Sequence, residues 1–446
     1  MQHDPPTTLA SPGVAYGDPI GLPGSEPDGN SEPLTRRSTF PGHAARTRRR
    51  AGGIALLLLG TLLTVQAVRP LPEAEFITSY DTGHTFAGEA PELPWPEEGR
   101  TVVEVEGVGV MGVRGEGRPE PIASVAKTMT AYVILRGHPV EGDEEGTRIE
   151  VDRKAEEQSH AADESTVSLT AGQTFTEKQL LQLLMIPSGN NVARLLARWD
   201  AGSEEAFVRK MNDAARELGM THTTYTDPSG LEPTTVSTPQ DQVKLAKAAL
   251  RIPVLQEIVD TPQIDVPGVT GTIYNNNRAL LEPGVDGIKT GSSTPAGGNL
   301  LWSARTVVDG RSHRIVGAVF GIRSGATLHQ KLQKAIDDSV TLIRAARGAV
   351  RAETVIDEGE VVGYVHDGLG GRTPVVAAGQ LRGAGWAGLR TRIGLTGATA
   401  LPRSAPGGTR VGEAGVGEGT ARTTVPLALR SAMEEPGLMK RLMRLW

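Results

Sequence analysis

The run Ser124–Leu135, SVAKTMTAYVIL, reads as a helix that is nearly apolar on every side, with one lysine in it. Such a helix has no face to offer water, so it belongs at the centre of a packed domain. Lys127 goes inside with it. A buried ammonium must be paired, neutral or in use, because an isolated charge is too costly in a low-dielectric interior. On a helix, residues i and i+3 share a face, which sets Ser124 beside the Lys127 amine. A serine hydroxyl becomes a good nucleophile once a base takes its proton. A lysine can be that base when burial and a second cation depress its pKa. The helix N-terminus adds a favourable field at Ser124 for developing negative charge.

The rest of the chain says what surrounds that helix. With 446 residues it is too long for one ordinary domain and suggests two plus appendages. Residues 1–50 are rich in Pro, Gly, Ser and Thr without apolar periodicity, which predicts a disordered tail. The tail ends in Arg46, Arg48, Arg49 and Arg50, and Ala51–Val68 follows as eighteen residues without a charge. That is near the minimum for a membrane-spanning helix. Arginines before it and Glu73, Glu75 and Asp81 after it put the N-terminus inside and the bulk of the chain outside. An uncleaved, single-pass anchor in the cell membrane is favoured. The alternative is a signal peptide cut after Val65-Gln66-Ala67, giving a secreted protein.

Residues 69–95 read as a Pro/Glu-rich linker. Strand-like alternation starts at Thr101, and Gly107 to Gly112 in it spells G-x-G-x-x-G. No helix follows to hold a pyrophosphate, so this is read as a glycine-rich hairpin. Gly284–Thr290 resembles a P-loop only loosely, with the wrong spacing. Thr176 and Gln179 form a capping box before LLQLLMI, which Pro187 stops. Thr238, Pro239 and Asp241 open another helix. Strand-like runs resume at Gly287–Lys289, Leu300–Arg305 and Arg314–Ile322. Strands, a helical middle and strands again predict an α/β (α+β) domain over 96–350: an antiparallel sheet flanked by helices, with a helical subdomain inserted. Short strand-like segments between Gly-rich turns predict a small all-β domain at 351–431. Residues 432–446 end in GLMKRLMRLW, a short amphipathic helix with Leu438, Met439, Leu442, Met443 and Trp446 opposite Lys440, Arg441 and Arg444. Membrane contact and simple packing are equally open for it.

Several function classes drop out. A net charge of −6 and pI near 5.9 leave no basic field for nucleic acid. The chain has no cysteine, which excludes thiol catalysis, Cys-bound zinc and disulfides. There is no H-E-x-x-H and no G-x-S-x-G, so no metal site, no cofactor and no α/β-hydrolase elbow is indicated.

Three short motifs remain, in order: Ser124-x-x-Lys127, Ser188-Gly189-Asn190 and Lys289-Thr290-Gly291. This trio is the signature of serine β-lactamases and penicillin-binding proteins. PIASVAKTMTAYVIL, MIPSGNNVA, LGMTHTTYTDPSGL, STPQDQVKLAKAAL and VDGIKTGSSTPAGGNLLWSA resemble the low-molecular-mass penicillin-binding proteins of the S11 family, the D-alanyl-D-alanine carboxypeptidases. The likeness covers roughly 100–325, and the β-rich tail resembles that family's small C-terminal domain more loosely. It implies a β-lactamase/transpeptidase-like fold and hydrolysis of the terminal D-alanine from peptidoglycan stem peptides, inhibited by β-lactams. By the same resemblance Ser124 is the acylated nucleophile, Lys127 its general base and Ser188 the proton relay to the leaving amine. Asn190 would bind the substrate backbone, and Lys289 and Thr290 of the K-T-G motif, closed by Gly291, the terminal carboxylate. The Ser124 and Ser292 N–H groups would form the oxyanion hole. Arg278 is a further candidate for the carboxylate. The β-lactamase deacylating glutamate, in an E-x-x-L-N setting, is missing after Ser188. Transpeptidation, β-lactam hydrolysis and a non-catalytic peptidoglycan-binding role stay open as alternatives, although Ser124 and Lys127 speak against the last.

Overall fold

The structure is a computed structural model that describes residues 43–443. The chain forms two units, 1–69 and 70–446. In the first, a helix runs His43–Val68, so residues 43–50 are helical where the sequence predicts a disordered tail. Its stretch Arg48–Val68 is 21 residues, none of them buried, long and apolar enough to cross a membrane. At 1.5 Å rise per residue it spans about 30 Å, the thickness of a bilayer's hydrocarbon core. The remainder of the expected tail, 1–42, lies outside the described residues.

The second unit is built on a five-stranded antiparallel sheet. Its order in space is Val285–Ser293, Gly297–Val308, Arg311–Ile322, Arg100–Val105, Gly109–Arg114. The first strands of the domain therefore close the edge of a sheet whose other half comes from residues far along the chain. Alternation assigns the two faces. Val102, Leu301, Val316, Ala318 and Phe320 join one core with the helices of the middle segment. Val103, Val105, Trp302, Ala304, Ile315 and Val319 join the other. A sheet covered on both faces explains the nearly continuous apolar runs in its strands. Gly107 and Gly109 shape the hairpin between Arg100–Val105 and Gly109–Arg114, both at positive φ. A Cβ at Gly112 would strike the Trp95 ring at 2.5 Å.

The middle segment is helical. Lys127–Gly137 lies at its centre, with its residues 127–135 all buried. Around it pack Glu177–Met185, Asn190–Ala201, Glu204–Glu217 and Pro239–Ala249. Thr176 and Gln179 make the full capping box, and Thr238 caps its helix on the Asp241 N–H. One large element has no counterpart in the sequence reading: the helix Leu328–Ala349, which covers the second face of the sheet. Its buried Ala335, Ile336, Ser339, Leu342, Ile343 and Ala346 recur at helical spacing behind a capping box of Thr327 and Gln330.

Residues 351–429 are strand-rich and have their own apolar cluster, including Val362, Val375, Val411 and Leu427. The expected linker 69–95 turns out to be woven into this region. Glu75–Thr78 is the edge strand on Val361–His366, and Gly83–Thr85 pairs with Arg390–Arg392. Prolines suit extended edge positions, and Phe86 supplies the drive. Phe86 is buried, and a Cβ at Gly385 would meet its ring at 2.5 Å. At the other end, the terminal helix is short, Leu438–Leu442, with Leu438, Met439 and Met443 exposed and Arg441 held by Glu435 at 2.7 Å. Arg444 and Trp446 lie outside the described residues.

Because Phe86 fills a slot that only a glycine partner leaves open, Phe86→Ala should cost about 3–5 kcal/mol, in line with other buried phenylalanines. Urea unfolding followed by circular dichroism will read this, and wild-type stability in the variant would show that 69–95 is a passive tether.

Candidate active site

The nucleophile candidate sits on a tight turn. Residues Ala123–Ala126 form a 3₁₀-helix that passes into the α-helix at Lys127, where the sequence predicts one continuous helix from Ser124. The change has a geometric consequence. A 3₁₀ turn has three residues, so side chains at i and i+3 eclipse. The Lys127 Nζ lies 2.8 Å from Ser124 Oγ. The turn is entered through Ala123 at φ 48°, a left-handed conformation unusual for alanine. Two glycines seal it. A Cβ at Gly230 would stand 1.9 Å from the Ala123 carbonyl oxygen, and one at Gly291 would lie 2.8 Å from Ile122 O and 3.0 Å from Ser124 N.

Lys127 is 0% exposed. Besides Ser124 it donates to Asn190 Oδ1 at 2.5 Å and to the Ser229 carbonyl at 3.0 Å. Burial pushes its pKa well below the ordinary lysine value, and the neighbouring charge of Lys289 lowers it further. In the neutral amine only two N–H bonds remain. Asn190 Oδ1 and the Ser229 carbonyl can only accept, so they take both, and the nitrogen lone pair is left facing Ser124 O–H.

The second motif lies between two helices. Ser188 has φ 69° and is 3% exposed, and its Oγ is buried without a hydrogen-bond partner. It is not the cap of the following helix. Gly189 is the N-cap and contributes no side-chain bond. A strained, unsatisfied hydroxyl of this kind costs on the order of 1–3 kcal/mol for each defect and concentrates at functional sites. Asn190 is engaged on both sides, accepting from Lys127 and donating through Nδ2 to Glu164 at 2.6 Å.

The third motif is on the edge strand Val285–Ser293, where Lys289, Thr290, Gly291 and Ser292 pair with Leu301, Leu300, Asn299 and Gly298. Asn299 locks the strand pair to the nucleophile turn, reaching Ile122 O at 3.4 Å and accepting from Gly321 N at 2.7 Å. Lys289 is buried, bonds the Thr290 carbonyl at 3.1 Å, and burial brings its pKa down to about 7. Thr290 is buried and Ser292 half-buried. Ser124, Lys127 and Asn190 are thus joined by direct hydrogen bonds and Gly291 by close packing. Ser188, Thr290 and Ser292 make no direct side-chain bond to them. Arg278 is exposed.

Four residues of the site were not singled out in the sequence. Glu164 holds Asn190 and is itself gripped by Arg194 through bonds of 2.7 and 3.0 Å. Burial alone would raise the Glu164 carboxyl, but the Arg194 and Asn190 bonds outweigh it and hold the pKa low. The Ser229 carbonyl is aimed by Asp227, which accepts from Ser229 N, Ser229 Oγ, Leu231 N and Thr235 Oγ1 at 2.6–3.0 Å. Arg194 was findable, since it lies one helical turn after Asn190. Glu164 and Ser229 come from loops whose proximity no local pattern reveals.

A groove of about 480 Å³ passes Pro187, next to Ser188, between segments 166–170 and 268–273. Another cavity, of about 970 Å³, lies away from the three motifs and is lined by charges that pair among themselves, such as Glu104 with Lys247 and Glu106 with Arg251.

A helical segment set against an antiparallel sheet, with Ser124 and Lys127 at their junction, is the frame of this site. The same fold occurs in a D-alanyl-D-alanine carboxypeptidase from Francisella tularensis (TM-score 0.53, 18% identity, 77% of this chain and 96% of that one). It also occurs in a peptidoglycan synthesis regulatory factor from Streptococcus pneumoniae (TM-score 0.56, 18% identity, 77% and 100%). Residues 100–323 match the family model of the S11 peptidases, described as D-alanyl-D-alanine carboxypeptidase, and the chain belongs to that family. Among curated relatives it is similar to the carboxypeptidase DacF of Bacillus subtilis, with 32% identity over 48% of this chain and 54% of that protein. It is equally similar to DacB2 of Mycobacterium tuberculosis, with 32% identity over 47% and 71%.

The Lys289 pKa has a consequence for stability. The unfolded chain keeps this proton to about pH 10.4, whereas the folded chain releases it near 7. Between those values the unfolded state binds more protons, so stability rises with pH across the window and is lost as pH falls toward 7. Lys289→Met should remove up to about 1.4 kcal/mol per pH unit of that slope. Urea midpoints measured from pH 7 to 10 will show it, and identical slopes in both proteins would mean Lys289 titrates normally.

Proposed function

We propose that this protein is a serine-type D-alanyl-D-alanine carboxypeptidase that removes the terminal D-alanine from peptidoglycan stem peptides through an acyl-Ser124 intermediate. The observation that carries the reading is the buried Lys127 amine, whose two hard acceptors leave its lone pair for Ser124. In the reaction, Lys127 takes the Ser124 proton as Oγ bonds to the carbonyl carbon of the penultimate D-alanine. The C–N bond to the terminal D-alanine then breaks, and Ser188 passes a proton to the leaving amine. Water afterwards cleaves the ester. Lys289, in its charged form, and Thr290 hold the substrate's terminal carboxylate, and the unpartnered Ser188 Oγ is free to act as relay. The close approach of Gly291 to the Ser124 backbone supports an oxyanion hole made by the N–H groups of Ser124 and Ser292. Asn190, already committed to Lys127 and Glu164, serves the base at least as much as the substrate backbone. β-Lactams, which mimic the D-Ala-D-Ala peptide, acylate the same serine.

The helix Arg48–Val68 supports a single membrane span with the catalytic unit outside the cell. Protease added to spheroplasts should then degrade that unit, and protection until lysis would refute the topology. The region after 351 holds none of the three motifs, and a role in orienting the enzyme fits it better than one in the chemistry.

Two measurements test the chemistry. Benzylpenicillin should add to the peptide that contains Ser124, and Lys127→Met should slow that acylation by ~10²–10⁴-fold, the usual worth of a general base. An adduct elsewhere, or an unchanged rate, would remove the assignment. For D-alanine release from a D-Ala-D-Ala peptide, kcat/KM should be bell-shaped. It falls at low pH as Lys127 gains a proton and at high pH as Lys289 loses its own near 7. Lys289→Arg should push the alkaline limb upward, and a limb that stays in place would separate it from Lys289.

A further inference from the structure

Asn190 can serve Lys127 in only one of its two amide orientations. With Oδ1 toward Nζ, it takes an N–H and frees the lone pair for Ser124. With Nδ2 toward Nζ, it would donate into that lone pair and block the base. Burial and a bond to Lys127 do not by themselves choose between them, because a lysine amine both donates and accepts. The choice is made on the far side of Asn190. There Glu164 places a carboxylate oxygen 2.6 Å from Nδ2. An ionised carboxylate has no proton to give, so only the amide's N–H₂ side can face it. Its ionised state is in turn secured by Arg194, which bonds both its oxygens at 3.0 and 2.7 Å. Both side chains are largely buried, at 8% and 13% exposure.

We propose that Glu164 and Arg194 are a positioning pair for the acylation reaction, setting the Asn190 amide so that the Lys127 lone pair points at Ser124. The proposal rests on the carboxypeptidase reading above. The pair touches neither substrate nor nucleophile and acts through Asn190. It also lies within the electrostatic reach of Lys127, along with Lys289 on the edge strand and Asp227 in the 227–231 loop. Among these, Asp227 and Glu164 favour the protonated amine, while Lys289 and Arg194 oppose it.

Glu164→Gln is the sharpest variant. Arg194 Nη2 and Asn190 Nδ2 share Glu164 Oε2 while Arg194 Nη1 takes Oε1, so a Gln, with one oxygen and one N–H₂, sets a donor against Arg194 or against Asn190. In the second arrangement Asn190 answers with Oδ1 and presents Nδ2 to Lys127. Acylation of the full-length protein in detergent by a fluorescent penicillin should slow by roughly ten- to hundredfold, the usual cost of a misaligned catalytic group. The acid limb of its pH profile should move to lower pH, because a negative charge near Lys127 is lost. Arg194→Gln, which leaves Glu164 unopposed, should move that limb to higher pH. A purely structural ion pair would give neither opposite displacement.

The charge swap Glu164→Arg with Arg194→Glu separates the two roles again. It restores an ion pair but sets a donor against Asn190, so acylation should stay slow. Recovery to the wild-type rate would show that the pair is only a brace. Should the swap fail to fold by circular dichroism, the two single variants decide, and a wild-type rate with an unmoved acid limb in Glu164→Gln overturns the proposal. If the wild-type protein itself is not labelled at Ser124, the carboxypeptidase reading fails first. Labelling of the wild type with indifferent variants sinks the positioning pair alone.

Discussion

The burial of the Lys127 amine is the constraint on which the rest of the structure depends. A lysine in a helix at the centre of a domain must either lose its proton or be surrounded by acceptors. Here acceptors surround it, and burial pushes its pKa well below the ordinary lysine value. Its partners are Ser124 in the turn just before the helix and, from distant parts of the chain, Asn190 at the start of another helix and the Ser229 carbonyl in a loop pinned by Asp227. The fold that brings them together is also the fold that puts a second buried lysine, Lys289, close enough to depress the first. On the proposed reading, structure and reactivity share one cause, since the desolvation that makes Lys127 expensive to charge is also what fits it to act as a base.

That arrangement is held at a visible cost. Ala123 and Ser188 both occupy left-handed backbone conformations, and the Ser188 hydroxyl is buried without a partner. Close packing keeps these features in place. Gly230 and Gly291 press backbone against the nucleophile turn at distances that no side chain would permit. Asn299, on the strand next to the edge, ties the sheet to Ile122. A site assembled in this way tolerates little adjustment in the glycines, which are as much a part of it as the residues with functional groups.

Legibility followed locality. The capping box at Thr176 and Gln179, the Thr238 cap and the centrality of the 127–135 helix are encoded within a few residues, and the structure has them as read. The three motifs were visible because each is short and they occur in order. What depended on distant partners was hidden. Glu164 looks like one more loop acid until Asn190 and Arg194 are folded around it. The segment 69–95 looks like a linker because its prolines mask two short strands whose partners lie far along the chain, near 363 and 391. The helix Leu328–Ala349 is a different case. Its capping box and apolar spacing are present in the sequence, but they lie between two strand-rich stretches. The 3₁₀ turn at Ser124 shows a finer limit, since helical periodicity alone does not separate three residues per turn from 3.6.

The proposed chemistry requires Lys127 to be neutral at the pH where the enzyme works. Heteronuclear NMR of isotope-labelled lysine side chains, with Lys127 assigned by its loss in Lys127→Met, reads this directly. The Lys127 resonance should titrate far below the ordinary lysine value of about 10.4, pushed there by burial and by the neighbouring charge of Lys289. A Lys127 that stays protonated up to pH 10 would contradict it, because a charged amine has no lone pair with which to take the Ser124 proton.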